Sequence, residues 1–200
     1  MRQKRIGFRF TIAGAVVAAT TWALPTLAAL QPGATAPDFT APASLAGKPF
    51  SFSLKSALMN GSVVVYFYPS AFTGGCNVQA HAFAVNKEKF SAVGASIIGV
   101  SLDSIERLNE FSADPAYCGG KIPVASDSDG RIAKSYDLKV TGMQRGLKDS
   151  RGAEIDHGFA ERTTFIVGKD GRIFAAVGGM GSEENVDQTL LAVKRLTWRN

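Results

Sequence analysis

The chain has 200 residues, 46% of them hydrophobic and 20% charged, enough for one domain with a full core. Its formal charge of +5 reflects 22 basic and 17 acidic residues, but Arg2, Lys4, Arg5 and Arg9 all lie in residues 1–28, which hold no acid. The remaining 18 basic and 17 acidic residues nearly balance and form no basic run, which excludes a charge-built nucleic-acid surface.

The N-terminal basic cluster is followed by an apolar stretch from Thr11 to Leu24, then Pro25 and the small-x-small sequence Thr26-Leu27-Ala28. This is the layout of a cleavable secretory signal peptide over residues 1–28, too short in its apolar part for a membrane span. Residues 29–36 read as a flexible N-terminal segment and 37–200 as the folded domain. Export to a bacterial periplasm, with no membrane attachment after cleavage, is the expectation. Only Cys76 and Cys118 are present. In an oxidising compartment they can form one disulfide, and a chain with a full core needs no staple, so pairing would serve redox chemistry.

Residues 29–49, rich in Ala, Pro, Gly and Thr, read as a linker and lead-in segment. Phe50 to Leu54 suggests a short strand and Ser56 to Met59 a helical turn closed by Asn60-Gly61. Val63 to Phe67 is continuous, β-branched and aromatic, which predicts a buried strand. Helix is expected from Cys76 to Phe90, with Val78, His81, Ala82 and Val85 spaced along one side and Lys87, Glu88 and Lys89 facing water. Ala95 to Ser101 predicts a second buried strand. Asp103-Ser104 offers an N-cap for a helix with Ile105, Leu108 and Phe111 on its apolar side, ended by Pro115. Ile122 to Ala125 reads as a strand, Arg131 to Tyr136 as a helix and 139–158 as a long loop. Arg162 to Val167 and Ile173 to Val177 read as two strands joined through Asp170-Gly171. Ser182 is expected to cap a last helix, Glu183 to Leu196, with acids in its first turn and bases in its last. Strands alternating with helices, then a hairpin and a closing helix, predict an α/β fold with a mixed central sheet flanked by helices on both faces.

The segment Val63 to Cys76 reads VVVYFYPSAFTGGC. It puts a thiol where a buried strand hands over to a helix, whose free N–H groups and positive dipole end favour thiolate over thiol. The order of elements resembles a thioredoxin-like fold. Pro69-Ser-Ala-Phe-Thr73-Gly-Gly-Cys76 resembles the P-x-x-x-T-x-x-C signature of peroxiredoxins, the alkyl hydroperoxide reductase and thiol-specific antioxidant family. With SDSDGRIAKSYDL further on, the likeness is greatest to the PrxQ, or bacterioferritin-comigratory-protein, subgroup.

This resemblance implies a thiol peroxidase without cofactor or metal, acting on hydrogen peroxide and organic hydroperoxides. Its reductant would be a thioredoxin-like or small thiol, and the protein a monomer or weak dimer. Cys76 would attack the peroxide, Thr73 would orient it, Pro69 would shield the sulfenate and Arg162 would stabilise the thiolate and the leaving oxygen. Read without the motif, Pro69 and Thr73 are ordinary turn residues and Arg162 a surface arginine. Members of the subgroup often carry the resolving cysteine five residues after the first; here that position is His81. Cys118 is the remaining candidate for resolution, with an external thiol as the alternative. Two rival readings stand: an exported thioredoxin-like thiol–disulfide oxidoreductase, disfavoured because Gln79 stands where the second cysteine of a C-x-x-C motif would be, and a non-catalytic redox sensor on the same fold. His81 is expected to pack near the first turn of its helix, and His157 reads as a loop residue ahead of the arginine strand. No Cys/His/carboxylate spacing resembles a metal site.

Overall fold

The computed structural model describes residues 29–198, so the expected signal peptide lies outside the described residues. Strands β1 (Thr40–Leu45), β2 (Lys48–Ser53), β3 (Ser62–Phe67), β4 (Ala95–Ser101), β5 (Val124–Ser126), β6 (Thr163–Val167) and β7 (Ile173–Gly178) form one sheet in the order β2-β1-β5-β4-β3-β6-β7. Strand β4 runs parallel to both β3 and β5, and the other pairings are antiparallel. Helices α1 (Leu54–Leu58), α2 (Gly74–Ser91), α3 (Ile105–Ala113), α4 (Arg131–Ser135) and α5 (Ser182–Thr197) complete the fold.

The sheet is covered on both faces, as the alternation of β3 requires. Val64, Tyr66 and Tyr68 point into a cluster with residues of α2, α3 and α5. Val63, Val65 and Phe67 point the other way, toward Leu54 of α1 and Ala133 of α4. With both faces buried, β3 and β4 carry continuous apolar runs, which made them legible.

Several expectations need revision. Thr40–Leu45 is a strand, although its TAPASL sequence reads as lead-in; it is held between β2 and β5. Residues 30–36, expected to be flexible, are tied down: Leu30 N donates to Tyr136 O, Gly33 N to Ile173 O and Ala36 N to Gly171 O. Helix α5 begins at Ser182 with Gly181 as its N-cap, so Ser182 is not the cap. The largest correction concerns α2. Val78, His81 and Val85 face outward, with Val78 42% and Val85 54% exposed. The buried face is instead Cys76, Gln79, Ala80, Phe83 and Ala84.

The topology decides what meets at one end of the sheet. Strand β6 is antiparallel to β3 with Phe67 opposite Thr163, so the start of β6 lies beside the end of β3. Strand β4 is parallel to β3, so its end lies there too. Residues 68–73, Arg162 and Asp103 therefore converge at the C-terminal end of β3, the usual place for a site in an open α/β sheet.

Candidate active site

Cys76 lies in the first turn of α2 and is 2% exposed. Arg162 directly precedes β6 rather than lying inside it, and its Nη2 donates to Cys76 Sγ at 3.2 Å. The same guanidinium bonds Gln79 Oε1 through Nη1, which also reaches Gly75 O at 3.5 Å. Gln79 cannot turn its amide around freely, because its Nε2 donates to Asn185 Oδ1 at 2.9 Å. Asn185 in turn accepts from Thr164 Oγ1 at 2.7 Å and donates from Nδ2 to Val177 O at 2.9 Å. Gln79, Asn185 and Thr164 are all fully buried. A buried polar chain of this kind, each member satisfied, fixes the Arg162 fork in place.

Gly75 is part of the same fit. A methyl group there would meet both Arg162 Nη2 and Ser182 Oγ at 3.2 Å, so the absence of a side chain lets the guanidinium approach the sulfur. Gln79, Asn185 and this role of Gly75 escaped the sequence reading. The only signal available was a polar side chain on the face of α2 opposite its solvent-facing residues.

Thr73 is the N-cap residue of α2, but its hydroxyl makes no bond to the helix. Thr73 Oγ1 donates instead to Ser70 O at 2.7 Å. Its hydrogen is thereby committed, which leaves its oxygen lone pairs as acceptors for the O–H of a substrate. The uncapped first turn leaves its N–H groups to the sulfur side of the helix. Pro69 is half-buried between the end of β3 and this loop. Phe72 takes a left-handed conformation, φ 60°, and is held there from outside. Its carbonyl accepts from Ser150 N at 2.8 Å and Ser150 Oγ at 2.7 Å, and the Arg151 guanidinium lies 3.2 Å from its ring centroid. The long loop 139–158 thus buttresses the segment that carries Thr73.

Cys118 stands apart from this constellation. It lies in the turn after α3, 0% exposed, in the same apolar cluster as Cys76, and both cysteines are free. Burial, with Asp114 adding, pushes its thiol well above the ordinary range, so it stands protonated. Tyr66 is within electrostatic reach of both sulfurs: burial first, then Cys118 and Cys76, push its phenol up, and Arg162 opposes them. The ring of Phe72 meets Tyr117, the neighbour of Cys118, edge-on at 5.6 Å, which links the catalytic loop to the Cys118 turn. His81 is exposed on the outer face of α2. His157, by contrast, is no free loop residue: its Nε2 lies 2.9 Å from buried Asp103. Among the described residues no group of three metal-ligating side chains is assembled.

The arrangement sets a fixed guanidinium charge against the Cys76 sulfur and can stabilise negative charge on a leaving oxygen beside it. Comparison with known proteins agrees with that chemistry. The AhpC/TSA family model matches residues 32–176. A 2-Cys peroxiredoxin BAS1 of Hordeum vulgare chloroplasts is 29% identical over 83% of this chain and 75% of its own length. Peroxiredoxin Bcp of Xanthomonas campestris is 29% identical over 66% of this chain and 76% of its own. The crystal structure of peroxidoxin BcpB from Mycobacterium tuberculosis superposes with a TM-score of 0.69, at 24% identity, over 83% of this chain and 97% of that one, and shares its thioredoxin-like fold.

Proposed function

The chain belongs to the AhpC/TSA family of peroxiredoxins, which are thiol peroxidases, and from that premise we propose that Cys76 is the thiol that reduces hydrogen peroxide and organic hydroperoxides. The observation that carries this reading is the Arg162–Cys76 contact at 3.2 Å, with Thr73 as the N-cap of the helix that carries the thiol. The Cys76 thiolate attacks one peroxide oxygen as the O–O bond breaks. Cys76 becomes a sulfenic acid, and the other oxygen leaves with the electron pair, takes up a proton and departs as water or alcohol. Thr73 Oγ1 accepts from the peroxide O–H and holds the O–O bond in line with the sulfur. Arg162 balances the charge that passes from sulfur to the leaving oxygen. Pro69 screens the sulfenate from a second oxidation.

Cys118 is the proposed resolver: its thiolate attacks the Cys76 sulfenate sulfur, expelling hydroxide and forming a Cys76–Cys118 disulfide that a thioredoxin-like or small thiol then reduces. A fully buried, protonated Cys118 cannot do this in the reduced fold, so the turn that carries it must open first. Where it does not open, an external thiol reduces the sulfenate directly. The C-x-x-C oxidoreductase reading is disfavoured, since Gln79 stands in place of the second cysteine and is bonded into the Arg162 network. We further propose export through residues 1–28 to a periplasm, and a monomer or weak dimer; N-terminal sequencing of the secreted protein tests the cleavage. Peroxide consumption by the mature protein, compared with Cys76→Ser and Cys118→Ser, tests the chemistry.

A further inference from the structure

Behind the catalytic loop lies a second polar centre that the peroxide chemistry described so far does not use. The Asp103 carboxylate, 0% exposed at the end of β4, gathers donors from three directions. Two come from the catalytic loop: Ala71 N reaches Oδ2 at 2.8 Å, and Ser70 Oγ reaches Oδ1 at 3.0 Å. Ser101 Oγ donates to Oδ2 at 2.7 Å and Arg107 Nε to Oδ1 at 2.8 Å. His157 Nε2 completes the set at 2.9 Å from Oδ1. Arg107 grips the loop a second time, its Nη2 donating to Ala71 O at 3.0 Å.

The loop passes this anchoring on to the site. Ser70, held by Asp103 through its side chain, supplies the carbonyl that receives the Thr73 hydroxyl at 2.7 Å. A chain of contacts therefore runs from His157 through Asp103 and Ser70 to Thr73, the residue proposed to orient the peroxide. A 1 Å error in that orientation costs rate far more than it costs stability.

The ring of His157 has a defined protonation in this setting. Its Nε2 faces the Asp103 carboxylate, and its Nδ1 lies 2.7 Å from Gly158 O, which can only accept. Both nitrogens must therefore donate, which makes the ring an imidazolium. The carbonyl is held in place because Gly158 packs against the 139–142 segment, where a methyl group would lie 1.8 Å from Thr141 O. Ser70 Oγ also lies 3.4 Å from Nε2. This set is no hydrolytic triad: serine and aspartate share one ring nitrogen, and the other faces a carbonyl, so no nitrogen is left to take the Ser70 proton.

We propose that Asp103 and doubly protonated His157 are positioning residues for peroxide reduction: the His157 proton holds the Ser70–Thr73 loop in its reactive geometry, and its loss slows the reaction of Cys76 with peroxide. The inference rests on Cys76 being the peroxide-attacking thiol. The charges around the ring set the direction of its titration. Burial opposes the imidazolium, while the Asp103 bond and charge, the Gly158 carbonyl and Asp156 favour it, and the balance raises the His157 pKa. Arg107 is a like charge on the same carboxylate, and it is offset by its second partner Asp149, 2.8 Å away, which also binds Arg151. A raised value means that the proton is present below the ordinary histidine range of about 6.5 and is lost as pH climbs through the folded value.

The test is the second-order rate of Cys76 oxidation by hydrogen peroxide, followed from roughly pH 5 to 9 in wild type, His157→Gln and Asp103→Asn, with His157 titrated by NMR in the wild type. Wild type should show a falling limb whose midpoint matches the His157 titration. His157→Gln, which keeps one donor and loses the charge, should lack that limb and run about tenfold slower on its acid side. Asp103→Asn should be slower still; if it fails to fold, His157→Gln carries the test alone. A falling limb that survives His157→Gln, or a wild-type rate in that variant at every pH, would overturn the proposal. Cys76→Ser measured alongside keeps the premise separate: peroxide consumption surviving there refutes the reading of Cys76 itself, whereas its loss together with a wild-type His157→Gln profile refutes only the role of His157.

Discussion

Arg162 Nη2 donates to Cys76 Sγ at 3.2 Å, although the two residues are 86 positions apart in the chain. Sheet topology brings them together, since Arg162 precedes a strand antiparallel to the one that delivers Cys76. Arg162→Lys keeps a charge but loses the planar fork shared between Cys76 and Gln79. The rate of Cys76 oxidation by peroxide should fall on the order of 10²-fold in Arg162→Lys and further in Arg162→Met, measured by stopped-flow fluorescence or competition kinetics. A lysine variant at the wild-type rate would show that charge alone suffices.

Thr73 offers lone pairs because its hydrogen is committed to Ser70 O. Thr73→Val keeps the shape and removes the acceptor, and should slow sulfenate formation by roughly 10²-fold. Thr73→Ser should retain most of the rate. Equal losses in the two variants would point to packing of the methyl group instead.

At Gly75 stability and activity should separate. Alanine is the better helix former by about 1 kcal/mol, so Gly75→Ala should not lower Tm. The new methyl group, 3.2 Å from Arg162 Nη2, should push the guanidinium aside and slow oxidation by about tenfold. Calorimetry together with peroxide kinetics on one preparation checks both halves.

These residues differ in how far the sequence revealed them. Strands β3 and β4 were legible because burial on both faces demands unbroken apolar runs. The TAPASL strand was not, since it owes its place to β2 and β5 rather than to its own propensity. On α2 the spacing of Val78, His81, Ala82 and Val85 suggested the wrong face. The face that packs inward must carry Cys76 to Arg162 and Gln79 to Asn185, so its first two turns, ahead of Phe83, hold small and polar residues that a search for apolar spacing passes over. Cys76, Thr73, Pro69 and Arg162 came from a local signature and a resemblance. The pairings of Gln79 with Asn185, and of Asp103 with His157 54 positions away, could not be read from the sequence, because a hydrogen bond between distant segments imposes no period on it.

Cys118→Ser should leave the first oxidation of Cys76 at the wild-type rate, since Cys118 is not among the hydrogen-bond partners of the Cys76 site. The Cys76 sulfenate should then persist and be trapped by a dione probe, and turnover with a thioredoxin-type donor should collapse. Full turnover in this variant would assign reduction to an external thiol.

The most direct test of the account is the rate of hydrogen peroxide consumption by the mature protein and by Cys76→Ser under a thiol reductant. The account predicts that wild type consumes peroxide with sulfenate or disulfide forming at Cys76, and that Cys76→Ser falls to the background of the reductant alone. A Cys76→Ser protein that consumes peroxide at the wild-type rate would contradict it.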